Sequence, residues 1–194
     1  AKRFIKEALK GYEDLELMPR GRRIAATLHA HLPEDYRVAI GILLDSLDGL
    51  EAVRDDDNPM GSFIYMPHCA YVAAYGVEHF AESMRANYEL TKRFTAEFSI
   101  RAFITRYPEK TLAMLEKWTR DPSPDVRRLV SEGTRPRLPW APRLVEFQRD
   151  PAPVLGLLEC LKDDSELYVR RSVANNLNDI GKDHPAVLVG TAKA

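Results

Sequence analysis

The sequence predicts an all-α protein built from repeated pairs of helices, and two observations support this prediction. Apolar residues recur at helical spacing along almost the whole chain, whereas the alternation typical of strands is almost absent. In the second half, Val-Arg-Arg at 126–128 occurs again at 169–171, 43 residues later, each time after an apolar helix and a short acidic turn. A period of about 43 residues with two helices per unit is typical of HEAT and armadillo repeats, which stack into a curved solenoid with a concave face.

Helical periodicity and the positions of proline define the elements in order. Helices are predicted over residues 3–17, 20–32, 33–47, 67–75, 77–92, 94–106 and 108–118, with prolines opening the third and the last of them. After these come the two Val-Arg-Arg helices, the apolar helix PVLGLLECL between them, and the start of a final helix at PAVLVGTAKA. Residues 48–66, which contain the run Asp55-Asp56-Asp57, are predicted to be a loop.

Length and composition predict a single HEAT-like repeat domain over residues 1–194. The chain has 194 residues, 45% of them hydrophobic, which is enough for one sizeable core. Both ends look like cut points, because the chain has no initiator Met and closes inside a predicted helix. No apolar run is long enough to span a bilayer, and the opening AKRFIKEALK is not a signal peptide. The apolar neighbours of Cys69 and Cys160 predict buried, reduced thiols in a cytoplasmic protein.

The charge is distributed unevenly although the net charge is only −1. Residues 1–100 carry 12 basic and 16 acidic side chains, and residues 101–194 carry 16 basic and 13 acidic ones. A polarised molecule of this kind can hold a phosphate backbone on one face, although an arginine-rich solvated surface would give the same pattern. The arginines of the second half cluster at Arg127, Arg128, Arg135, Arg137, Arg143, Arg170 and Arg171.

A proline-rich segment, GTRPRLPWAPRL at 133–144, interrupts the repeats. Pro136, Pro139 and Pro142 fix φ and remove amide donors, so the segment is predicted to be a stiff loop. Loops held by rigid scaffolds often carry function. Trp140 on this loop either packs as an anchor against the core or presents its face to a cation or a nucleobase. Trp118, in helical register with Leu115, is predicted to lie in the core.

Three carboxylates come from three consecutive predicted repeats. Glu132 ends the first Val-Arg-Arg helix, Asp179 lies in the second, and Glu97 lies one repeat earlier in TAEFSIRAF. If the second helices of consecutive repeats line the concave face, the three side chains converge there. The alternative is that each carboxylate caps a helix or pairs with a neighbouring arginine. The asparagines in ANNLN, unusual in a helix, either bond to nearby backbone or contact phosphates.

Several other chemistries lack their motifs. The sequence has neither a Gly-rich dinucleotide fingerprint nor a P-loop. His29 and His31 are two residues apart on a helix and face different sides, so they cannot chelate one metal ion from it. We therefore expect no metal and no cofactor. No lysine lies among the candidate residues, so Schiff-base chemistry is not indicated.

VRRLVSEGTRPRLPWAPRL at 126–144 and YVRRSVANNLNDIGKDHP at 168–185 resemble the AlkC branch of the AlkC/AlkD bacterial alkylpurine DNA glycosylases. The resemblance extends more weakly over residues 3–120, including TAEFSIRAFI. It implies a HEAT-like solenoid with double-stranded DNA in its concave face, and hydrolysis of the N-glycosidic bond of cationic lesions such as 3-methyladenine. Some members carry an additional C-terminal immunoglobulin-like domain that helps to hold DNA, and this chain ends before any such region.

The resemblance also implies roles for individual residues. Glu132 and Asp179 match catalytic-pocket carboxylates, Glu97 matches a third acidic residue, and Trp140 matches an aromatic pocket residue. Arg128 and Arg135 match arginines that support the pocket or meet the DNA. The clustering of basic residues adds three further candidates for DNA binding, which are Arg127, Arg170 and Arg171.

The chemistry that these residues can perform agrees with that implication. An alkylated purine such as 3-methyladenine is already a cation, so it leaves without a general acid. Carboxylates can stabilise the developing oxocarbenium ion and place a water, and an indole can stabilise the cationic base. We therefore expect a monofunctional, monomeric enzyme at the bacterial nucleoid, with the question of base flipping left open. The alternative is a non-catalytic HEAT module that binds DNA or protein, and a shared cleft for Glu97, Glu132, Trp140 and Asp179 would argue against it.

Overall fold

The computed structural model describes residues 1–47 and 61–193, and all regular structure in these ranges is helical. This confirms the all-α prediction. Among the described residues, none of the helices has the length and apolar character that crossing a membrane requires. A 3-10 turn, Gly61–Tyr65, precedes the fourth helix. In chain order the helices are α1 (Lys2–Leu9), α2 (Leu17–His31), α3 (Tyr36–Asp45), α4 (Met66–Tyr75), α5 (Phe80–Thr91), α6 (Ile100–Arg106), α7 (Pro108–Trp118), α8 (Pro124–Gly133), α9 (Val145–Arg149), α10 (Ala152–Leu161), α11 (Leu167–Gly181) and α12 (Pro185–Lys193).

Several of the predicted helices in the first half are shorter than periodicity suggested, among them α1 and α3. α1 ends at Leu9 instead of continuing to residue 17, because Gly11 follows with a φ of 70°, in the left-handed region that glycine tolerates. α3 begins at Tyr36 rather than at Pro33, since the side chain of Asp35 caps it by accepting a hydrogen bond of 2.8 Å from the amide of Arg37.

The predicted helix over 94–106 was wrong in its first half. Residues 94–99 are not helical, with a turn only at residues 97–99, and the helix begins at Ile100. The hydroxyl of Thr95 accepts a hydrogen bond of 3.3 Å from the amide of Glu97, a local bond that competes with helix formation. Glu97 therefore lies in the turn before α6.

The predicted loop 48–66 lies only partly within the described residues. Residues 48–60, with the acidic run, fall outside them. Gly61–Tyr65 is the 3-10 turn, and residue 66 already belongs to α4.

The chain divides by its internal contacts into two compact units, Ala1–Ser99 and Ile100–Ala194. In the first unit, α2 packs against α4. Gly21 allows this approach, because a Cβ there would lie 2.8 Å from the sulfur of Met66. The prediction of one domain over residues 1–194 stays a prediction, because this division describes each unit only by its own internal contacts.

The second unit contains the repeated helix pairs, α7 with α8 and α10 with α11. The two Val-Arg-Arg helices, α8 and α11, lie side by side, which confirms the repeat inferred from the 43-residue period. Asn176 of α11 is fully buried, and its side-chain amide donates to the carbonyl of Ser131 at 2.7 Å and to the hydroxyl of Thr134 at 3.1 Å. Asn175 and Asn178 are exposed.

Core predictions for single side chains held in two cases and failed in one. Trp118 and Cys69 are buried as predicted, and both cysteines are free thiols. Cys160 is exposed, contrary to the prediction. The buried stripe of α10 consists of Val154, Leu157, Leu158 and Leu161, and Cys160 falls off this stripe although its neighbours in sequence are apolar.

The first arginine of each Val-Arg-Arg triplet has the same structural role in both repeats. Arg127 donates to the carbonyls of Asp121, at 2.8 Å, and Pro122, at 3.1 Å. Arg170, 43 residues later, donates to the carbonyl of Asp164 and, at 2.9 Å, to that of Ser165. In both copies the guanidinium therefore closes the acidic turn that precedes its own helix.

Arg127 also joins one repeat to the next. Its Nε and Nη2 donate to the two carboxylate oxygens of Asp164 at 2.6 and 3.0 Å. This hydrogen bond and the positive charge of Arg127 hold the pKa of Asp164 below its ordinary value. The contact is bidentate and partly shielded from water, which is the geometry in which an arginine–carboxylate pair is strongest.

We expect Arg127→Lys to lower the free energy of unfolding by about 1.5–3 kcal/mol, the range for hydrogen bonds to charged groups. Lysine keeps the positive charge but cannot bind both oxygens of Asp164 and the turn carbonyls together. Urea unfolding followed by circular dichroism measures the change. The matched control is Arg171→Lys, an exposed neighbour that should stay within about 0.5 kcal/mol of the wild type. Equal stability of the two variants would contradict the role given to Arg127.

Candidate active site

Arg135 joins two of the predicted catalytic carboxylates. It follows the end of α8, and its Nη1 donates to Glu132 Oε1 at 2.7 Å while its Nε donates to Asp179 Oδ2 at 2.8 Å. Glu132 comes from α8 and Asp179 from α11, so the side-by-side packing of these helices brings the two carboxylates to one guanidinium. Glu132 and Asp179 are only 5% and 1% exposed.

Three further side chains complete the cluster around these carboxylates. Ser172 Oγ donates to Glu132 Oε2 at 2.6 Å, and Arg128 approaches the same oxygen at 3.5 Å. Lys182 Nζ donates to Asp179 Oδ1 at 2.9 Å, so a lysine does lie beside a candidate carboxylate, contrary to the expectation from the sequence. Arg128 lies four residues before Glu132, and Lys182 lies three residues after Asp179. In each pair the helical turn therefore places the two side chains on one face.

The hydrogen bonds and charges of the cluster favour the charged forms of Asp179 and Arg135. Burial alone would raise the pKa of Asp179, but hydrogen bonds from Arg135 and Lys182 and their charges hold it below its ordinary value of 3.8. Burial likewise opposes the charged form of Arg135, and hydrogen bonds to Asp179 and Glu132 nevertheless raise the pKa of its guanidinium. Asp179 is therefore held as an anion at neutral pH.

The loop after α8 presents Trp140 to solvent. The side chain is 76% exposed, so Trp140 is not the packing anchor that was one reading of the sequence. Its φ is 61°, a left-handed conformation that costs a bulky residue about 1–3 kcal/mol. The rest of the loop must compensate for that cost. Pro136 and Leu138 are buried, and the amide of Leu144 donates back to the carbonyl of Pro136 at 3.1 Å.

One buried arginine binds both ends of this loop. Arg101, on α6 and only 4% exposed, donates through Nη1 to the carbonyls of Gly133 at 3.1 Å and Arg135 at 2.8 Å. Its Nη2 donates to the carbonyl of Pro142 at 2.5 Å. A single guanidinium therefore binds both ends of the loop that carries Trp140. We call the place where these two ends approach each other the neck of the loop.

A second arginine fastens the loop to the end of α11. Arg137 donates to both carboxylate oxygens of Asp183, at 3.0 and 2.5 Å, and Gln148 of α9 donates to the same group at 3.2 Å. The hydrogen bond from Arg137 lowers the pKa of Asp183 to about 2. His184 contacts the carbonyl of Gln148 at 2.8 Å, so the loop, α9 and the start of α12 meet at one point.

We expect the stability contributed by Asp183 to disappear in acid. Because its pKa is about 2 in the folded protein and about 3.9 in an unfolded chain, the contribution is complete above pH 4 and is lost as the pH falls towards 2. The measurement is the difference in unfolding free energy between the wild type and Asp183→Asn at pH 2–7. It should be constant above pH 5 and shrink below pH 4, and a difference independent of pH would contradict the pairing with Arg137.

Glu97 lies in the first unit, in the turn before α6. It is 9% exposed, and its carboxylate accepts a hydrogen bond of 2.9 Å from the hydroxyl of Thr95. Its role as a third pocket carboxylate stays a prediction.

The five predicted DNA-binding arginines occupy different environments. Arg127 and Arg170 bind turn carbonyls, Arg135 bridges two carboxylates, and Arg171 is exposed. Arg128 reaches Glu132 and also lies 5.3 Å from the centre of the Tyr168 ring. Direct contact of any of them with DNA stays a prediction.

Sequence reasoning missed Ser172, Lys182 and Arg101. Ser172 could have been found by comparing the repeats, because the equivalent position 43 residues earlier is the buried Leu129. A hydroxyl at a core position of the repeat indicates a buried polar partner, here Glu132. Lys182 follows Asp179 at helical spacing, which is a weaker signal. Nothing local in the sequence distinguishes Arg101 from other arginines.

Comparison with known proteins gives strong matches, although no family model matches the chain. The uncharacterized protein YhaZ of Bacillus subtilis (strain 168) is 42% identical over 180 residues, which cover 93% of this chain and 48% of that protein. The structure of Pseudomonas fluorescens alkylpurine DNA glycosylase AlkC, bound to DNA containing an abasic site analog, superposes with a TM-score of 0.89 at 40% identity. This superposition covers 100% of this chain and 52% of the AlkC chain. This chain therefore spans about half the length of each of the two relatives.

Proposed function

We propose, from the premise that the chain belongs to the AlkC-type family, that it carries the base-excising part of a DNA glycosylase for cationic alkylated bases. The reaction is monofunctional hydrolysis: water replaces the base at C1′ of the sugar, and the base leaves. The substrate is double-stranded DNA with lesions such as 3-methyladenine, and we place the protein as a monomer in the bacterial cytoplasm at the nucleoid. The match to AlkC, which extends over the whole of this chain and 52% of the AlkC chain at 40% identity, supports this proposal.

The observation that carries the proposal is the buried pair of carboxylates on Arg135. Glu132 and Asp179 are held 2.7 and 2.8 Å from one guanidinium, so their negative charges have fixed positions. A cationic base leaves without protonation, and the transition state then resembles an oxocarbenium ion. Anions positioned in advance stabilise such a state far more than they stabilise the neutral ground-state sugar.

Access to Asp179 requires one of its partners to move, because its side chain is 1% exposed. Of the two basic partners, Lys182 is the more exposed, with 53% of its side chain in solvent and a flexible stem, so we assign the movement to it. A phosphate of bound DNA competes with Asp179 for this ammonium group. Binding of DNA would thereby free Asp179 Oδ1 to place a water or to face the sugar.

Trp140 supplies a surface for the base. Its exposed indole can stack on a cationic purine and gain a cation–π interaction that a neutral base does not give. The selectivity for alkylated bases then follows from the negative charge of the carboxylates and the aromatic face of Trp140 together, since neither stabilises a neutral base as it stabilises a cationic one.

A second candidate function is a non-catalytic module that binds DNA or protein. The hydrogen bonding of the two carboxylates favours this second function, because Glu132 and Asp179 each already accept hydrogen bonds from at least two partners. Buried carboxylates paired in this way also occur as purely structural networks.

The deciding experiment is single-turnover release of labelled bases from methylated DNA by the purified chain. We expect 3-methyladenine to be released, with no release from undamaged DNA and none of the strand cleavage that a lyase would cause. Asp179→Asn serves as the matched inactive control. Binding of DNA without release of any base would reject the glycosylase and support the binding module.

We also expect DNA binding to be sensitive to salt. Phosphate contacts release counterions, so affinity should fall steeply between about 50 and 200 mM salt. Arg171→Gln should lower the slope of log affinity against log salt by about 1 if this exposed arginine meets a phosphate. Arg149→Gln is the control, because Arg149 is paired with Glu146 at 2.8 Å. Fluorescence anisotropy measures both, and binding independent of salt would contradict an electrostatic interface.

A further inference from the structure

Arg101 is the buried group that joins the two ends of the Trp140 loop. Two of its hydrogen bonds go to the start of the loop, at Gly133 and Arg135, and one goes to its far end, at Pro142. The six residues 136–141 between these acceptors include Trp140. Because one planar guanidinium binds both ends, the separation of the ends is set by its own fixed geometry.

The acceptors of Arg101 connect it to both halves of the candidate site. One acceptor is the backbone carbonyl of Arg135, whose side chain holds Glu132 and Asp179. The loop that it closes carries Trp140, whose positive φ must be maintained by its surroundings. A change at Arg101 therefore moves the bridging arginine and the exposed indole together.

We infer that Arg101 is a positioning residue of the site, which fixes the Trp140 loop and the backbone of Arg135 in the geometry that base excision needs. The expected effect of Arg101 on base excision rests on the proposed function. The binding of both loop ends by Arg101 does not depend on that function. Lysine cannot replace Arg101, because a single ammonium group cannot reach acceptors at both ends of the loop in the same geometry.

Arg101→Lys separates this role from simple folding. Hydrogen exchange of the purified chain should show the Leu144 amide, which donates to Pro136 across the neck, exchanging about tenfold faster or more, whereas amides in the middle of α8 and α11 keep their wild-type protection. Arg106→Lys on the exposed end of α6 is the matched control and should leave the loop unchanged. Faster exchange throughout the second unit, or no change at Leu144, would overturn the inference.

The second arm of the experiment is single-turnover base release at a temperature where every variant is fully folded. Arg101→Lys should reduce the rate about tenfold or more, since small displacements of positioned groups are costly, while the DNA dissociation constant stays within about twofold. In a Trp140→Ala background the same substitution should cost clearly less, because part of its effect acts through the indole. A wild-type rate in Arg101→Lys, or full additivity with Trp140→Ala, would overturn the inference. A wild-type protein that releases no base would reject the proposed function instead, and the exchange data would then decide the role of Arg101 in the loop.

Discussion

Asp179→Asn is expected to slow the release of 3-methyladenine about 100-fold or more, which corresponds to roughly 3 kcal/mol of transition-state stabilisation. Asparagine keeps the size of the side chain and can still accept a hydrogen bond from Arg135, but it removes the negative charge to which the proposed mechanism assigns the stabilisation of the transition state. DNA binding should change little, because phosphate contacts dominate the affinity of the ground state. The assay is single-turnover release, with circular dichroism to confirm folding and anisotropy to confirm binding.

The companion variants test whether charge or shape is responsible. Glu132→Gln should lose a similar factor, whereas Trp140→Ala should lose only about 1–2 kcal/mol because a cation–π contact is the weaker interaction. Since the pKa of Asp179 lies below 3.8, the wild-type rate should not fall through protonation of this group above about pH 4. Full activity in both carboxylate variants would falsify the mechanism.

The repeat was predictable from the sequence because it depends on periodicity. The 43-residue spacing of Val-Arg-Arg predicts two equivalent helices, and equivalent helices of neighbouring repeats pack side by side. That packing is what brings Glu132 and Asp179 together. The sequence pattern left open whether these carboxylates form a site or pair with arginines, and their catalytic roles, like that of Arg135 as a supporting arginine, were implied only by the resemblance to the AlkC branch. The geometry of the bridge through Arg135 could not be predicted, because it depends on the side-chain conformation of a residue outside both helices.

The remaining differences between the sequence predictions and the structure arise where side chains form hydrogen bonds with backbone groups. The non-helical segment at residues 94–99 is closed by Thr95, and the acidic turns are closed by Arg127 and Arg170, so these residues act on carbonyl and amide groups that no sequence pattern marks. The basic cluster suggested phosphate contacts for the same arginines. Composition records the charge of a guanidinium, but it does not record which acceptors lie within its reach.

Arg135→Met is expected to lower the free energy of unfolding by about 3–5 kcal/mol, the range for breaking a buried ion pair from one side. The substitution keeps most of the volume but removes the donor shared by Glu132 and Asp179, which remain 5% and 1% exposed. An anion left in such a place without its partner keeps its full cost of desolvation. Urea unfolding at neutral pH measures the change. Arg143→Met, an exposed substitution on the same loop, is the control and should stay within about 0.5 kcal/mol of the wild type.

The pH dependence of this variant separates lost charge pairing from lost packing. In the wild type the pKa of Asp179 is lowered by its partners, so Asp179 contributes stability above pH 4 and loses that contribution as the pH falls. In Arg135→Met the buried Asp179 lacks a main partner, so its pKa should rise and protonation should favour the folded state. The gap in unfolding free energy between the two proteins should therefore narrow as the pH falls from 7 towards 4. A gap that stays constant over this interval would mean that Arg135 stabilises the fold through packing alone.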